Sequence, residues 1–273
     1  LGNNKQTMNI RDFRNFIFDM DGVLWHDTKP LADLAIFFDL LHDKGIRFAF
    51  ATNNASKTID QYLEKFAGFG VTVKPWQILT SAEMTGDYLL ERFGKETAVY
   101  IIGTDGLQEA IRSRGFELVT PETLRQGKMA NVVVGGFTQK VTYEDFAGAT
   151  ICINNGATFI GTNPDLTFPS PFGPLPGNGS LLALVSAATG VTPTTVGKPG
   201  SIIFEQALKR LRSQPNETLM IGDRLNTDIA GGQAAGLRTA LVRSGISKTA
   251  DLATSSAQPD FIFADINELS QNL

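Results

Sequence analysis

Short, unbroken apolar runs alternating with amphipathic stretches constrain this chain more than any other feature. Phe16-Ile17-Phe18, Phe48-Ala49-Phe50-Ala51, Leu219-Met220-Ile221 and Ala240-Leu241-Val242 show no in-out alternation. A strand apolar on every residue is buried on both faces, which is the condition inside a parallel sheet. Between such runs, Leu31–His42, Lys57–Ala67, Ser201–Leu211 and Asn226–Ala235 carry apolar residues at helical spacing, and Gly45 closes the first of these. Strands are expected over Phe16–Asp19, Arg47–Ala51, Thr218–Ile221, Leu237–Val242 and Phe261–Phe263. Strand and helix alternating at these lengths predict an α/β fold with a parallel sheet.

At 273 residues the chain exceeds a usual single domain, so an insertion or a second domain is expected. The middle of the chain has its own strand-helix units. Ala98–Ile102, Ala130–Val134 and Thr158–Gly161 read as strands, and Leu107–Ser113 and Tyr143–Asn154 as helices. The middle segment ends in Pro164, Pro169, Pro171, Pro174 and Pro176, a stiff stretch suited to a loop or hinge. The expected organisation is a discontinuous core of residues 8–81 and 182–273 with an inserted domain at 82–181. An insert over the carboxyl edge of a sheet is well placed to act as a lid. The polar opening Leu1–Thr7 lacks an initiator methionine, so Met8 reads as the native start and the first seven residues as an expression remnant.

Composition narrows the function classes. A formal net charge of −4 with no Lys/Arg stripe argues against a nucleic-acid backbone as ligand. No run of eighteen apolar residues offers a membrane helix, and no signal peptide opens the chain. Cys152 is the only cysteine, which excludes an internal disulfide, and within Ile151-Cys152-Ile153 it reads as a small core residue. A cytoplasmic enzyme fits.

The chemistry collects at strand ends, where α/β sheets bind their ligands. Asp19 and Asp21 follow the first strand, with Gly22 marking a turn. Thr52 and Asn53 end the second, where a hydroxyl and free amides can bind anionic oxygens. Lys198, in Gly197-Lys198-Pro199-Gly200-Ser201, stands before a helix N-terminus. This is no Walker loop, since Pro199 replaces the metal-binding hydroxyl. Asp223 ends the strand Met220-Ile221-Gly222, and Asp228 falls in the first turn of the next helix. Taken singly, each has a plain structural reading: solvated loop acids, a turn threonine, a surface lysine, a helix-dipole acid. Taken together, four acids repel by about 4 kcal/mol per pair at 4 Å and an effective dielectric of 20, unless a cation sits among them. All-oxygen donors select a hard ion, and Mg²⁺ suits a phosphate substrate. Zinc does not fit, because His26 and His42 form no metal-spaced pair and only one cysteine exists.

These elements, in this order, resemble the haloacid dehalogenase-like (HAD) superfamily, with its D-x-D-G-[TV], its Thr or Ser, its distant Lys and its acidic G-D-x-x-x-x-D. The runs D-M-D-G-V-L-W, T-N-N-A-S, V-Y-I-I-G-T-D-G-L, G-T-N-P-D-L-T-F-P, P-G-N-G-S-L and V-G-K-P further resemble the NagD/p-nitrophenylphosphatase branch, subclass IIA. That resemblance spans nearly the whole chain. It implies a Rossmann-like core, an inserted α/β cap, and Mg²⁺-dependent hydrolysis of a small phosphorylated metabolite such as a sugar phosphate, a nucleotide monophosphate or an aryl phosphate.

In the implied mechanism Asp19 is the nucleophile, forming an aspartyl-phosphate, and Asp21 is the general acid and base. The main-chain carbonyl of Asp21 joins the Asp19 and Asp223 carboxylates as a metal ligand, with Asp228 as a ligand or, preferably, fixing waters. Thr52, the Asn53 amide and Lys198 orient the phosphoryl group. Asn163-Pro164-Asp165 in the cap either faces substrate or only shapes the cap. A homodimer built through the cap fits the family. Two rivals keep the fold and change the function: a non-catalytic phosphometabolite-binding regulator, which could lose Asp19 or Asp21, and a phosphomutase, whose cap is usually smaller and helical.

Overall fold

The computed structural model describes residues 9–55, 57–168, 170 and 172–273. Met8 and the preceding residues, the cap residue Ser56, and Pro169 and Pro171 of the proline stretch lie outside the described residues.

In chain order the elements begin with β1 Asn15–Phe18, β2 Trp25–His26, β3 Lys29–Pro30, α1 Leu34–Asp43, β4 Arg47–Thr52 and α2 Ile59–Gly68. Next come β5 Ile78–Thr80, α3 Ser81–Phe93, β6 Ala98–Ile102, α4 Asp105–Arg112, β7 Glu117–Val119, α5 Pro121–Arg125 and β8 Val132–Gly135. The chain continues through α6 Tyr143–Asn154, β9 Thr158–Gly161, β10 Thr167–Phe168, β11 Leu175–Pro176, α7 Asn178–Thr189 and β12 Thr194–Thr195. It ends with α8 Ser201–Leu211, β13 Thr218–Gly222, α9 Ala230–Ala234, β14 Arg238–Val242, β15 Phe261–Phe263 and α10 Ile266–Asn272.

A six-stranded sheet has the order β15-β14-β13-β1-β4-β5. β1 pairs in parallel with both β13 and β4, and β13, β14 and β15 continue the parallel ladder. Burial explains the register. All four residues of β1 and all five of β13 are buried, as the unbroken apolar runs require. A cluster of phenylalanines fills one side of this sheet: Phe18, Phe37, Phe38, Phe48, Phe50 and Phe66 meet at centroid distances from 4.5 to 6.4 Å. Edge-on and tilted contacts dominate, as the ring quadrupole favours.

A second, five-stranded sheet has the order β12-β9-β8-β6-β7, every pair parallel. Its core joins Tyr100, Ile102, Val133 and Phe159 of the strands to Ala149, Cys152 and Ile153 of α6 and to Leu182 and Val185 of α7. The proline stretch, expected as loop or hinge, contains a two-residue antiparallel ladder, Thr167↔Pro176 and Phe168↔Leu175. Pro176 takes a place there because so short a ladder has little to lose from a missing donor.

The chain divides into two compact units. One comprises the described residues up to Ala51 with Tyr62–Ile78 and Phe204–Leu273. The other comprises the described residues of Thr52–Gln61 and Leu79–Ile203. Among the described residues, no helix is long and apolar enough to cross a membrane.

Several helix bounds differ from the sequence expectation, two of them for visible reasons. α1 starts at Leu34 rather than Leu31, because the Asp33 side chain accepts from the Ile36 amide at 3.1 Å and caps it there. The helix expected over Asn226–Ala235 is instead a π-helical turn, Leu225–Ile229, followed by the short α9. Asp228 Oδ2 accepts from the amides of Asp223 at 3.1 Å and Arg224 at 3.0 Å, which holds the first turn open toward the strand end.

Candidate active site

In the first unit three carboxylates converge at the C-terminal ends of neighbouring strands. Asp19 follows β1, and its amide continues the ladder by donating to the Ile221 carbonyl at 2.8 Å. Asp223 follows β13, and Asp228 is carried back to it by the π-helical turn. Asp19, Asp223 and Asp228 are all buried, and each offers an oxygen within 4.8 Å of the others.

The surroundings leave room for these acids and little else. A side chain at Gly22 would place its Cβ 2.6 Å from Asp223 Oδ2, and one at Gly245 would overlap the same carboxylate. A Cβ at Gly222 would overlap Asp228. Gly22 also holds φ +88°, which glycine alone adopts without strain. Asp223 is held further by the Ile246 amide, which donates to its Oδ2 at 2.7 Å, while the Ser247 amide donates to its carbonyl at 3.0 Å.

The trio holds neither thiolate nor imidazole. Three buried carboxylates this close fit a hard divalent cation, whose charge removes the repulsion that their proximity creates. Asp21, expected beside them, is exposed, and its side chain is not in the trio. Its Oδ1 accepts from Trp25 Nε1 at 2.9 Å. His26, the histidine nearest in sequence, bonds the Ser244 carbonyl at 2.9 Å through Nε2.

The second unit brings together Asn53, Asn163, Asp165 and Lys198, four of the residues singled out in the sequence. The Asn53 side chain clasps the backbone of Lys198: its Oδ1 accepts from the Lys198 amide and its Nδ2 donates to the Lys198 carbonyl, both at 2.8 Å. The same Nδ2 donates to Asp165 Oδ2 at 3.2 Å. Asn163 Nδ2 donates to the Asn53 carbonyl at 2.9 Å, and its Oδ1 accepts from the Asp165 amide at 3.2 Å. Gly197 permits the approach, since a Cβ there would lie 2.6 Å from Asn53 Oδ1. Thr52 is buried at the end of β4, and its Oγ1 accepts from the Asn54 amide at 3.1 Å, the start of a turn. Lys198 is only 2% exposed, so it is not a surface lysine. A buried ammonium is stable only in anionic or polar company.

Three contributors escaped the sequence reading. Ser81 Oγ donates to the Asn53 carbonyl at 2.8 Å. Asn178 Nδ2 donates to the Asn163 carbonyl at 2.7 Å and also reaches Thr162 Oγ1 and the Gly135 carbonyl. Ser247 Oγ accepts from the Leu225 amide at 3.0 Å. Asn178 lies in the motif P-G-N-G-S-L, between two glycines neither of which has room for a Cβ, a close-packing signal legible in the sequence. The two serines carry no such local signal.

Residues 16–117 match the family described as haloacid dehalogenase-like hydrolase, and residues 195–269 match a second HAD-hydrolase-like family. The chain is 35% identical to the 5'-nucleotidase YutF of Bacillus subtilis over 259 residues, covering 95% of this chain and 98% of that protein. It is 36% identical to an acid sugar phosphatase of Staphylococcus aureus, again covering 95% of this chain and 97% of the relative. Among solved structures, the 4-nitrophenylphosphatase of Thermotoga maritima superposes with a TM-score of 0.87 at 33% identity, covering 96% of this chain and 97% of that one.

Proposed function

This chain belongs to the haloacid dehalogenase-like hydrolases, and from that membership we propose that it is a Mg²⁺-dependent phosphatase of small phosphate monoesters. The observation that carries the reading is the buried trio of Asp19, Asp223 and Asp228 at the C-terminal ends of β1 and β13. The 5'-nucleotidase and the sugar phosphatase among its relatives suggest nucleotide monophosphates and sugar phosphates as the first substrates to try.

The metal would be held by the carboxylates of Asp19 and Asp223 with the main-chain carbonyl of Asp21, and when bound it supplies positive charge beside the phosphoryl oxygens. Asp228 already spends one oxygen on two backbone amides, which supports its role as the residue that would hold the loop and fix waters at the site. An Asp19 carboxylate oxygen attacks phosphorus in line with the ester oxygen, and the P–O ester bond breaks. Protonated Asp21 gives its proton to the departing alcohol oxygen. The product on the enzyme is an aspartyl-phosphate at Asp19. Asp21, now a carboxylate, takes a proton from a water molecule as that water attacks phosphorus. The bond between phosphorus and the Asp19 oxygen breaks, phosphate leaves, and both aspartates return to their starting forms.

Thr52, the Asn53 amide and the Lys198 ammonium would neutralise and orient the phosphoryl oxygens, since positioning and electrostatics dominate this chemistry. Residues 82–181 would form the cap that excludes bulk water and sets specificity, with Asn163 and Asp165 toward the substrate. We place the enzyme in the cytoplasm, which its single cysteine suits, and take a cap-mediated homodimer as the assembly. Light scattering of the purified protein tests the assembly.

The function is tested by phosphate release from p-nitrophenyl phosphate with Mg²⁺, followed by a panel of phosphorylated metabolites compared by kcat/KM. Asp19→Asn should reduce turnover to background while circular dichroism stays unchanged. Undiminished turnover in that variant would overturn the nucleophile assignment. Lys198→Ala should lower kcat/KM by about 100-fold or more, and an unchanged value removes Lys198 from the chemistry.

A further inference from the structure

Asp21 has a proton to deliver and to recover, and it stands in contacts that none of those steps uses. Its carboxylate is exposed, yet one of its oxygens is fixed from below by Trp25, which is fully buried. Trp25 Nε1 donates to Asp21 Oδ1 at 2.9 Å. The backbone repeats the tie, because the Gly22 amide donates to the Trp25 carbonyl at 2.8 Å and the Leu24 amide to the Met20 carbonyl at 2.9 Å.

The indole is in turn clamped on several sides. Phe66 meets it edge-on at 5.1 Å between centroids, and Phe69 lies tilted at 5.7 Å. Lys65 Nζ stands 3.9 Å from the ring centroid and donates to the Asp27 carbonyl at 2.6 Å. A cation over the ring face is attracted by its π-electrons and polarises the N–H that points at Asp21. Packing alone would be served by phenylalanine. The indole adds one polar atom, and that atom is spent on Asp21.

An exposed aspartate rotates freely, whereas proton transfer needs its oxygen within hydrogen-bond reach of the ester oxygen. We infer that Trp25 is a positioning residue for the proton shuttle: its buried indole N–H holds Asp21 Oδ1 and leaves Oδ2 to carry the proton. The inference rests on the reading of Asp21 as general acid and base. Lys65 supports the same device from above the ring.

The test uses a readout that a purely structural role would not move. kcat/KM reports the steps up to the aspartyl-phosphate, where Asp21 protonates the leaving oxygen. An alkyl alcohol needs that proton, whereas p-nitrophenolate departs with little help. Trp25→Phe keeps the ring and loses the donor. It should lower kcat/KM for an alkyl phosphate, such as glycerol phosphate, by about 10- to 100-fold, and for p-nitrophenyl phosphate by about 3-fold or less.

An equal loss on both substrates, or no loss on either, overturns the inference. Should Trp25→Phe fail to fold, Lys65→Met carries the same test, with a smaller selective loss of about 2- to 5-fold on the alkyl phosphate. Asp21→Asn separates the two possible failures. If it shows no preference between substrates, the shuttle reading falls and the positioning role falls with it. If it hits the alkyl phosphate selectively while Trp25→Phe does not, only the role of Trp25 is lost.

Discussion

At the residue scale, the site is defined as much by missing side chains as by charged ones. A Cβ on Gly245 would overlap Asp223, whose Oδ2 is held by the adjacent Ile246 amide. Gly245→Ala should therefore displace the carboxylate proposed to ligate the metal and raise the Mg²⁺ concentration for half-maximal activity by about tenfold or more. A Mg²⁺ titration of p-nitrophenyl phosphate hydrolysis measures it, and an unchanged midpoint would contradict the assignment of Asp223. Tyr100 makes a different point. Its hydroxyl is buried without a hydrogen-bond partner among the described residues, and burial, with lesser contributions from Asp145 and Cys152, raises its pKa above the ordinary tyrosine value. A raised folded-state pKa means that this group's stabilisation is complete below the unfolded value of about 10 and is lost as pH rises above it. Tyr100→Phe should be neutral or slightly stabilising at pH 7, and it should soften the fall of Tm above pH 10. Burial likewise pushes the Cys152 thiol up, so a thiol reagent should label it slowly until the protein is unfolded.

At the element scale, α6 shows how far periodicity carries. Its bounds, Tyr143–Asn154, are those expected from the sequence, because Thr142 and Asp145 form a capping box ahead of an apolar stripe. What the helix packs against is a tertiary matter. Gly148 faces Tyr100 so closely that a Cβ would overlap the ring and its hydroxyl. Gly148→Ala should lose about 1–3 kcal/mol in urea unfolding although alanine favours helix, because overpacking outweighs propensity here. The π-helical turn at Leu225–Ile229 is the converse case. Spacing predicted an ordinary helix there. The two amides gathered by Asp228 demanded a wider turn, and that bond pattern is invisible in a helical wheel.

At the scale of the whole molecule, the chain leaves the first compact unit after Ala51, returns at Tyr62, leaves after Ile78 and returns at Phe204. The acids Asp19, Asp21, Asp223 and Asp228 belong to the first unit, while Thr52, Asn53, Asn163, Asp165 and Lys198 belong to the second. Stability and metal binding are linked through the first. Three carboxylates this close repel when ionised, so the metal-free protein should be the less stable form, and Mg²⁺ at about a hundred times its Kd should add about 2.7 kcal/mol. A thermal melt with and without Mg²⁺ should show this as a rise in Tm. Asp223→Asn should melt higher than the parent in EDTA and gain little from Mg²⁺. Equal Tm values with and without Mg²⁺ in the parent protein would contradict a metal site at the trio.

The α/β class, the parallel pairing and the strand ends that carry Asp19, Thr52 and Asp223 were all determined by the sequence. Unbroken apolar runs can be buried only in a covered sheet, and ordered motifs at their ends leave few alternative uses. Partnership was decided by the tertiary structure. That Asn53 clasps Lys198 across 145 positions, that glycines at 22 and 245 make room for Asp223, and that Trp25 grips Asp21 are consequences of packing. Hydrogen bonds between distant segments leave no periodic trace, because each depends on where two backbones meet and not on the order of residues in either.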